Sequence, residues 1–406
     1  MTLNAEFLWD GKDPEEGQVP FPWKGSESEA QEHMAKVAAL IKQANADVVN
    51  LVEVENLDAL NTLNTLYLAG RGYRAYLVNG TDTYTGQDVG LLTRIDPEGE
   101  ALRRWDAQGA SGGVAKSVSK NYYARFEVGG KRLAFIGLHL LAEPLAQDRR
   151  LPRQAQADAI RKLGKALLKE GRLLVVLGDF NDYDASAESL DHIGSTPATN
   201  VLAIIRGMAE DTPSDDLVNV AAFVPRSARY TSFWDKNSNR RVDFPEELTS
   251  IDHILVSPAL AAAVEAVTMP HDYDPRSVTD HFPVVVALRL GQGSASVHGP
   301  LARIVQLLPD PPGLDEVGEE AVIENADDGP LDMANWKLRD LARTEWSLSA
   351  LGILQPGEQK TIRRNGQPMA MNNDGDTIQL VDPSGKVVDS VTYGPVGRGQ
   401  YVRPAA

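Results

Sequence analysis

The chain has 406 residues, 42% of them hydrophobic and 24% charged, which is ordinary for a globular protein and long enough for two domains with separate cores. It has no cysteine, which excludes disulfides and thiolate metal sites, and no apolar run of about 18 residues, which excludes a membrane-spanning helix. The net charge of -17, with 10 Lys+Arg against 16 Asp+Glu in residues 300–406 and the larger excess before them, excludes a basic nucleic-acid clamp. It leaves room for a phosphate substrate, because a divalent cation inverts the field of a carboxylate-lined cleft.

Residues Thr2 to Trp9, TLNAEFLW, read as the end of a first core strand. A core strand this close to the first residue points to missing upstream sequence, such as a signal peptide replaced by an initiating Met, and so to a secreted or cell-surface protein. Ser26 with Glu29 forms a capping-box pattern, and Met34, Val37, Ala38 and Ile41 then repeat at helical spacing, predicting an amphipathic helix over 27–44. Strands are predicted at Asp47 to Val52, Tyr73 to Val78, Val89 to Thr93, Tyr122 to Val128 and Leu133 to Leu138. Gly129-Gly130 between the last two is a hairpin signal. A basic-faced helix is expected over 153–170, then a buried apolar strand, Arg172 to Leu177, between Gly171 and Gly178. A helical, loop-rich region to about 222 precedes strands at Ser250 to Val256 and Pro283 to Leu290. Hairpins and helical crossovers together give a layered α/β domain over 1–290.

Residues 291–300, GQGSASVHGP, have linker composition. Over 301–406 the texture changes to short strands, at Ala321 to Glu324, Trp336 to Arg339, Gln359 to Ile362, Thr377 to Val381 and Val387 to Val391. Pro356-Gly357, Asn365-Gly366 and Ser384-Gly385 mark turns between them, as in an all-β sandwich.

Five separated segments set polar functional groups at the ends of apolar runs: Asn4, Glu53, His139, Asp179 with Asn181 in LGDFN, and Asp252 with Asp280-His281. Each has a plain alternative. The GDFN stretch also suits an ordinary turn, Glu53 a solvated strand end, His139 a satisfied core histidine, and Asp252 or Asp280 a cap. Their joint recurrence favours a site.

On these residues the chain resembles the endonuclease/exonuclease/phosphatase superfamily over residues 2 to about 290. The resemblance implies a four-layer α/β sandwich, two mixed sheets flanked by helices. It also implies that Glu53 is the principal ligand of a divalent cation, with Asn4 beside it and Asp280 near the metal. Asp179 would orient or deprotonate the attacking water and Asn181 would hold the phosphate. His281 would contact a phosphate oxygen, its other N–H donated to Asp252, with His139 across the phosphate near the leaving group. Asp88, in QDVGLLTR, is a candidate to orient His139. The glutamine often found before the metal-binding glutamate is Val52 here. The chemistry is consistent: an anionic phosphodiester repels hydroxide until a cation neutralises it, and oxygen ligation suits Mg²⁺ or Mn²⁺ better than zinc, with Ca²⁺ a further option.

Asp235, Asn237, Asn239, Asp243 and Glu246 fall at positions 1, 3, 5, 9 and 12 of a calcium-loop pattern, but Arg240 replaces the turn glycine and Pro245 interrupts the exit. The loop reads rather as a polar substrate-side loop than as a calcium site. Tyr230, Phe233 and Trp234 before it suit either stacking on a base or packing. Arg103, Arg104, Arg149 and Arg150 suit phosphate contacts or solvated faces.

Residues 321–393 resemble the lamin-tail domain, an immunoglobulin-like sandwich, through Asn325, Trp336, Leu338, Asp340, Pro356, Gly357, Gly375, Asp376, Leu380, Gly385, Asp389 and Tyr393. This implies a binding or tethering module without catalytic residues. The reading is of an exported, metal-dependent phosphodiesterase, foremost a nuclease acting on DNA or RNA. A phosphatase or a phospholipid or nucleotide phosphodiesterase keeps the same site, and a non-catalytic binding or adhesion protein is the alternative of a different class. Fold alone does not choose among these substrates, and the sequence is silent on oligomeric state.

Overall fold

The computed structural model describes all residues except 13–15, 189–196, 209–214, 291–301, 327–330, 356, 384, 386 and 404–406. The chain divides into two compact units, Met1–Gln292 and Gly293–Ala406. The expected linker at 291–300 and the turn residues Pro356 and Ser384 lie outside the described residues.

In the first unit, β1 (Thr2–Leu8), helix α1 (Glu27–Ala44), β2 (Val48–Val54), α2 (Leu57–Thr62), β3 (Arg74–Leu77) and β4 (Asp88–Thr93) come first. Their strands form a sheet in the order β1-β2-β4-β3, parallel only between β1 and β2. A small hairpin, β5 (Gly109–Ser111) and β6 (Val114–Lys116), precedes β7 (Lys120–Val128), β8 (Lys131–His139), α3 (Arg150–Lys169) and β9 (Leu173–Asp179). After α4 (Val201–Arg206) and β10 (Val218–Asn219) come β11 (Ser232–Phe233), β12 (Leu248–Thr249), β13 (Asp252–Val256), α5 (Pro258–Ala261), β14 (Val264–Thr268) and β15 (Val285–Leu288). The second sheet runs β10-β13-β9-β8-β7, with only β8 and β9 parallel.

Side-chain alternation decides how these elements stack. Val48 and Val52 face one way, onto Tyr122, Phe126, Val175, Leu177 and Ile254 of the second sheet. Val49 and Leu51 face the other way, onto Met34, Val37 and Ile41 of α1. On the far side, Ile136, Leu138 and Val176 meet Ile160, Leu163 and Leu167 of α3. The cores therefore run α1, first sheet, second sheet, α3, and each fully buried aliphatic side chain contributes about 1.5–3 kcal/mol. The expected fold class holds.

Local details depart from expectation. Ser26 stands at the N-cap of α1, but its side chain caps nothing, so the capping box is not formed. Gly129 and Gly130 close the β7–β8 hairpin at φ 56° and 73°, a two-residue turn whose positive φ values suit glycine. The basic face of α3 is partly internal. Arg153 is fully buried and its guanidinium donates to the carbonyls of Leu141 (2.9 Å), Ala142 (3.3 Å), Glu143 (3.4 Å) and Pro144 (2.7 Å).

In the second unit β16 (Ala302–Leu308), a short helix α6 (Asp315–Gly318), β17 (Glu320–Asn325), β18 (Leu331–Asp332), β19 (Lys337–Arg339), β20 (Glu345–Ser347), β21 (Ile353–Leu354), β22 (Gln359–Arg363), β23 (Asp376–Val381) and β24 (Val387–Tyr393) follow. One sheet is β16-β17-β22 and the other β20-β19-β23-β24. Ile304, Ile323 and Ile362 from the first share a core with Leu338, Trp346 and Ile378 from the second. Trp346 is fully buried and satisfies its indole N–H on the Met369 carbonyl at 2.7 Å. This is the immunoglobulin-like β-sandwich read from the sequence.

Candidate active site

The first sheet brings Asn4, Glu6 and Glu53 together through two bulges at one level. Pairing slips between Asn4 and Leu8 in β1 and between Val52 and Val54 in β2. Glu6, Phe7 and Glu53 take left-handed backbone, φ 47°, 56° and 63°. For such residues this conformation costs about 1–2 kcal/mol each, and non-glycine residues held this way cluster at functional sites. Glu53 is held by the Phe7 backbone N–H (3.2 Å) and by the Asn4 amide (3.2 Å). The same amide nitrogen donates to Asp179 at 3.3 Å, so Asn4 ties the ends of the two sheets together. Its oxygen accepts the Glu6 N–H at 3.0 Å, which fixes the amide orientation. Asn4 thus braces the two carboxylates.

The second sheet supplies His139, Asp179 and Asp252, and the segment before β15 supplies Asp280 and His281. Gly178 sits at φ 142°, and a Cβ there would lie 1.9 Å from the Leu138 carbonyl oxygen, so only glycine fits before Asp179. Asp179 accepts the Asn181 backbone N–H at 2.8 Å, and Asn181, at φ 50°, donates its amide to the Leu140 carbonyl at 3.1 Å. Register places His139 of β8 and Asp252 of β13 beside Asp179. His139 Nε2 lies 3.7 Å from Asp179 Oδ2, beyond hydrogen-bond range. His281 Nδ1 meets Asp252 Oδ2 at 2.7 Å, while Asp280 Oδ1 lies 3.8 Å from His281 Nε2. Thr279 Oγ1 donates to the Asn4 carbonyl at 2.8 Å, anchoring the Asp280-His281 segment to β1.

Of the residues expected at the site, Asn4, Glu53, His139, Asp179, Asn181, Asp252, Asp280 and His281 are brought together. Asp88 does not orient His139: its carboxylate accepts the Gly80 N–H at 2.7 Å, and His139 Nδ1 has no hydrogen-bond partner among the described residues. The 235–246 loop is not built as a cation site. It joins two-residue strands rather than helices, and Asp235 accepts the N–H groups of Asn239 (3.1 Å) and Arg240 (2.9 Å). Asp243 takes the amides of Asn237 (2.8 Å) and Asn239 (2.6 Å), so these oxygens are turned inward on the loop itself and not on a common cation position. Arg103, Arg104 and Arg149 pair with Glu100 (2.8 Å), Asp106 (2.6 Å) and Glu143 (3.3 Å), as solvated faces do.

Sequence reading missed Glu6. Its carboxylate accepts the Asp280 N–H at 3.1 Å. It lies two residues after Asn4, but left-handed backbone at Glu6 and Phe7 breaks strand alternation there, so the sequence carries no signal that it turns inward. Lys120 was missed as well. It stands opposite His139 in register and pairs with Asp82 at 3.2 Å.

The electrostatics divide the site in two. Burial, and then the Asp280 charge, raise Glu53; burial, Asp280 and Glu53 push Glu6 up to about 8; burial also raises Asp280. Burial opposes charge on His281, yet Asp252, Asp280 and Asp179 hold it well above the ordinary imidazole value. Asp179 is raised to about 7 by burial and by Asp252. Burial, Lys120 and His281 keep His139 neutral, well below its ordinary value. Asp179, Asp252 and His281 can each place one ligand atom within 4.8 Å of the others. The 2.7 Å hydrogen bond uses His281 Nδ1, so this trio reads better as an acid-base group. Glu6, Glu53 and Asp280 instead repel one another, which raises Glu6 and Glu53 further.

Residues 1–281 match the profile of the Endonuclease/Exonuclease/phosphatase family, and residues 300–395 match the Lamin Tail Domain. No curated protein matches the chain. Among solved structures, a 3'-5' exonuclease from Neisseria meningitidis is 19% identical over 71% of this chain and 98% of its own, with a TM-score of 0.48. An endonuclease/exonuclease/phosphatase from Beutenbergia cavernae DSM 12333 is 16% identical over 97% and 98%, with a TM-score of 0.45. A mannosyl-6-phosphatase of Bacteroides thetaiotaomicron VPI-5482 is 16% identical over 71% and 98%, with a TM-score of 0.42. With the profile spanning residues 1–281, and so the whole of the polar cluster at the sheet ends, the chain belongs to the Endonuclease/Exonuclease/phosphatase family of phosphoesterases.

Proposed function

We propose that the protein is a metal-dependent phosphodiester hydrolase that cleaves nucleic acid, DNA foremost. The observation that carries this is the joining of the two sheet ends by Asn4, which sets Glu53 beside the Asp179–Asp252–His281 group. Glu53, Glu6 and Asp280 would hold the cation, which when bound neutralises phosphate charge and stabilises the pentacovalent transition state.

The chain's own residues supply the remaining roles. Asp179, raised to about 7 and fixed by the Asn181 N–H, accepts a proton from the attacking water. The Asp252 carboxylate holds the His281 ring by Nδ1, leaving Nε2 to donate to a phosphate oxygen. Asn181 contacts the phosphate, and neutral His139 stands on its other side toward the leaving group. A lamin-tail unit on the same chain supports binding or tethering, and with it the secreted or cell-surface placement. No helix among the described residues is long and apolar enough to cross a membrane.

One panel tests the assignment: plasmid, single-stranded DNA, RNA, bis-nitrophenyl phosphate, a phosphomonoester and sphingomyelin, each with Mg²⁺, Mn²⁺, Ca²⁺ or chelator. Cleavage of DNA that stops with chelator is expected. Turnover unaffected by chelator would overturn the metal assignment, and turnover confined to monoesters or lipid would overturn the nuclease reading.

A further inference from the structure

His281 and Phe282 are consecutive, and their side chains enter different surroundings. His281 meets Asp252 in the site, whereas the Phe282 ring packs with Tyr230, His271 and Tyr273. On that side lies an open recess of ≈ 360 Å³ lined by Tyr230, Phe244, His271, Phe282, Arg241 and Arg276, among others. The Tyr230 and His271 rings stack at 3.6 Å with an interplanar angle of 18°. Phe282 stands edge-on to Tyr230 at 5.4 Å, and Phe244 edge-on to Tyr230 at 6.3 Å.

Two features separate this recess from ordinary packing. First, the aromatic wall is open: Phe244 is 52% exposed and Val242 38%. Second, its rim carries charge of unequal status. Arg276 is held by Asp274 (2.8 Å) and donates to the Arg240 carbonyl, whereas among the described residues the Arg241 guanidinium has neither an acidic partner nor a hydrogen bond. Planar apolar faces beside an unneutralised guanidinium suit a ligand that is flat at one end and anionic at the other. The recess is also tied to the site by backbone. The Phe233 N–H donates to the Asp280 carbonyl at 2.8 Å, the Phe282 N–H to the Thr231 carbonyl at 2.7 Å, and the Tyr273 hydroxyl to the His281 carbonyl.

We infer that this recess receives one base of a single strand flanking the phosphate held at His281, with Arg241 contacting that nucleotide's own phosphate. The inference rests on the nuclease reading and adds to it a place where the substrate is recognised. Base–aromatic stacking of this kind is sequence-tolerant and contributes about 1–3 kcal/mol per base, or roughly 5- to 150-fold in binding. The stack would therefore fix the register of the strand more than its sequence.

The test uses the full chain and end-labelled single-stranded DNA in which tetrahydrofuran abasic units replace the bases one position at a time, together with an all-abasic strand. Wild-type kcat/KM should fall at least about fivefold for one abasic position at fixed distance from the cut, and little elsewhere. Phe244→Ala should show that loss on fully based DNA, lose sensitivity at that position, and leave turnover of the all-abasic strand unchanged. Arg241→Ala should weaken binding of all strands and lower the salt-dependence slope by about 1. Uniform tolerance of abasic units, or equal slowing of based and abasic strands by Phe244→Ala, would overturn the inference while leaving a nuclease. Absence of any nucleic-acid cleavage with bis-nitrophenyl phosphate still hydrolysed would overturn the nuclease reading, and this inference with it.

Discussion

Two loops of this chain are rich in Asp and Asn, Asp179 to Asp184 and Asp235 to Glu246, and in sequence both read as sites. In space they differ. Asp179 and Asn181 are 2% and 5% exposed, and Asp179 faces Asp252 and Glu53 with too few donors to quiet the charge. Asp235 and Asp243 stand in an exposed loop and use their oxygens on the loop's own N–H and amide groups. Buried polar groups left in mutual tension mark chemistry, whereas satisfied exposed ones make a turn.

The largest expected effect falls on the buried loop. Asp179→Asn should lower phosphodiester turnover by about 10²–10⁴-fold, as loss of a general base does, with the melting temperature kept. Near-normal turnover would erase the distinction between the loops. Glu53→Gln and His281→Ala should each cost at least about two orders of magnitude, assayed with saturating Mg²⁺ or Mn²⁺; full activity in either variant removes its assigned role.

A stability measurement sharpens the comparison from a third buried polar group. His33 accepts burial by staying neutral: its ring donates to the Ala5 carbonyl at 2.7 Å, stacks on Trp23 at 4.0 Å, and burial lowers its pKa from 6.5 to about 4. Folded protein then binds fewer protons than unfolded protein, so stability is full above pH 6.5 and is lost as pH falls toward 4. The loss amounts to roughly 3 kcal/mol at most. Urea titrations across that range should show the slope in wild type and a flatter one in His33→Gln; equal slopes would exclude His33 as its source. The smallest effect belongs to the exposed loop. Asp243→Ala should change turnover less than about threefold and stability by about 0.5 kcal/mol or less, and Ca²⁺ should not raise the melting temperature of wild type above that of the variant. A calcium-specific rise would restore the cation reading of the loop.

Much of the site was legible because strands end where water begins. Glu53, His139 and Asp179 close apolar runs, Asp252 and His281 open them, and the registers of the second sheet then align His139, Asp179 and Asp252. Glu6 was hidden because its inward turn depends on left-handed backbone at Glu6 and Phe7, which changes the two-residue period on which strand reading relies. Arg153 was hidden for a related reason. A cation on a helix full of Lys and Arg reads as solvated, whereas the carbonyls of residues 141–144, with the Asp182 and Asp179 charges, make its burial tolerable. The helix over 27–44 was legible to the residue, yet its cap was misread, since Ser26 Oγ faces Ser28 Oγ at 3.5 Å instead of the first-turn N–H groups.

That buried arginine has a kinetic consequence. It grips the carbonyls of residues 141 to 144, and Gln156 accepts the Leu141 N–H at 2.9 Å, so the segment after His139 is fastened to α3 at several points. In hydrogen-exchange terms, the Leu141 amide should open only with the sheet and helix that hold it, at the slow end of the unit's exchange spectrum. The wall of the active site on the His139 side is then a fixed jaw.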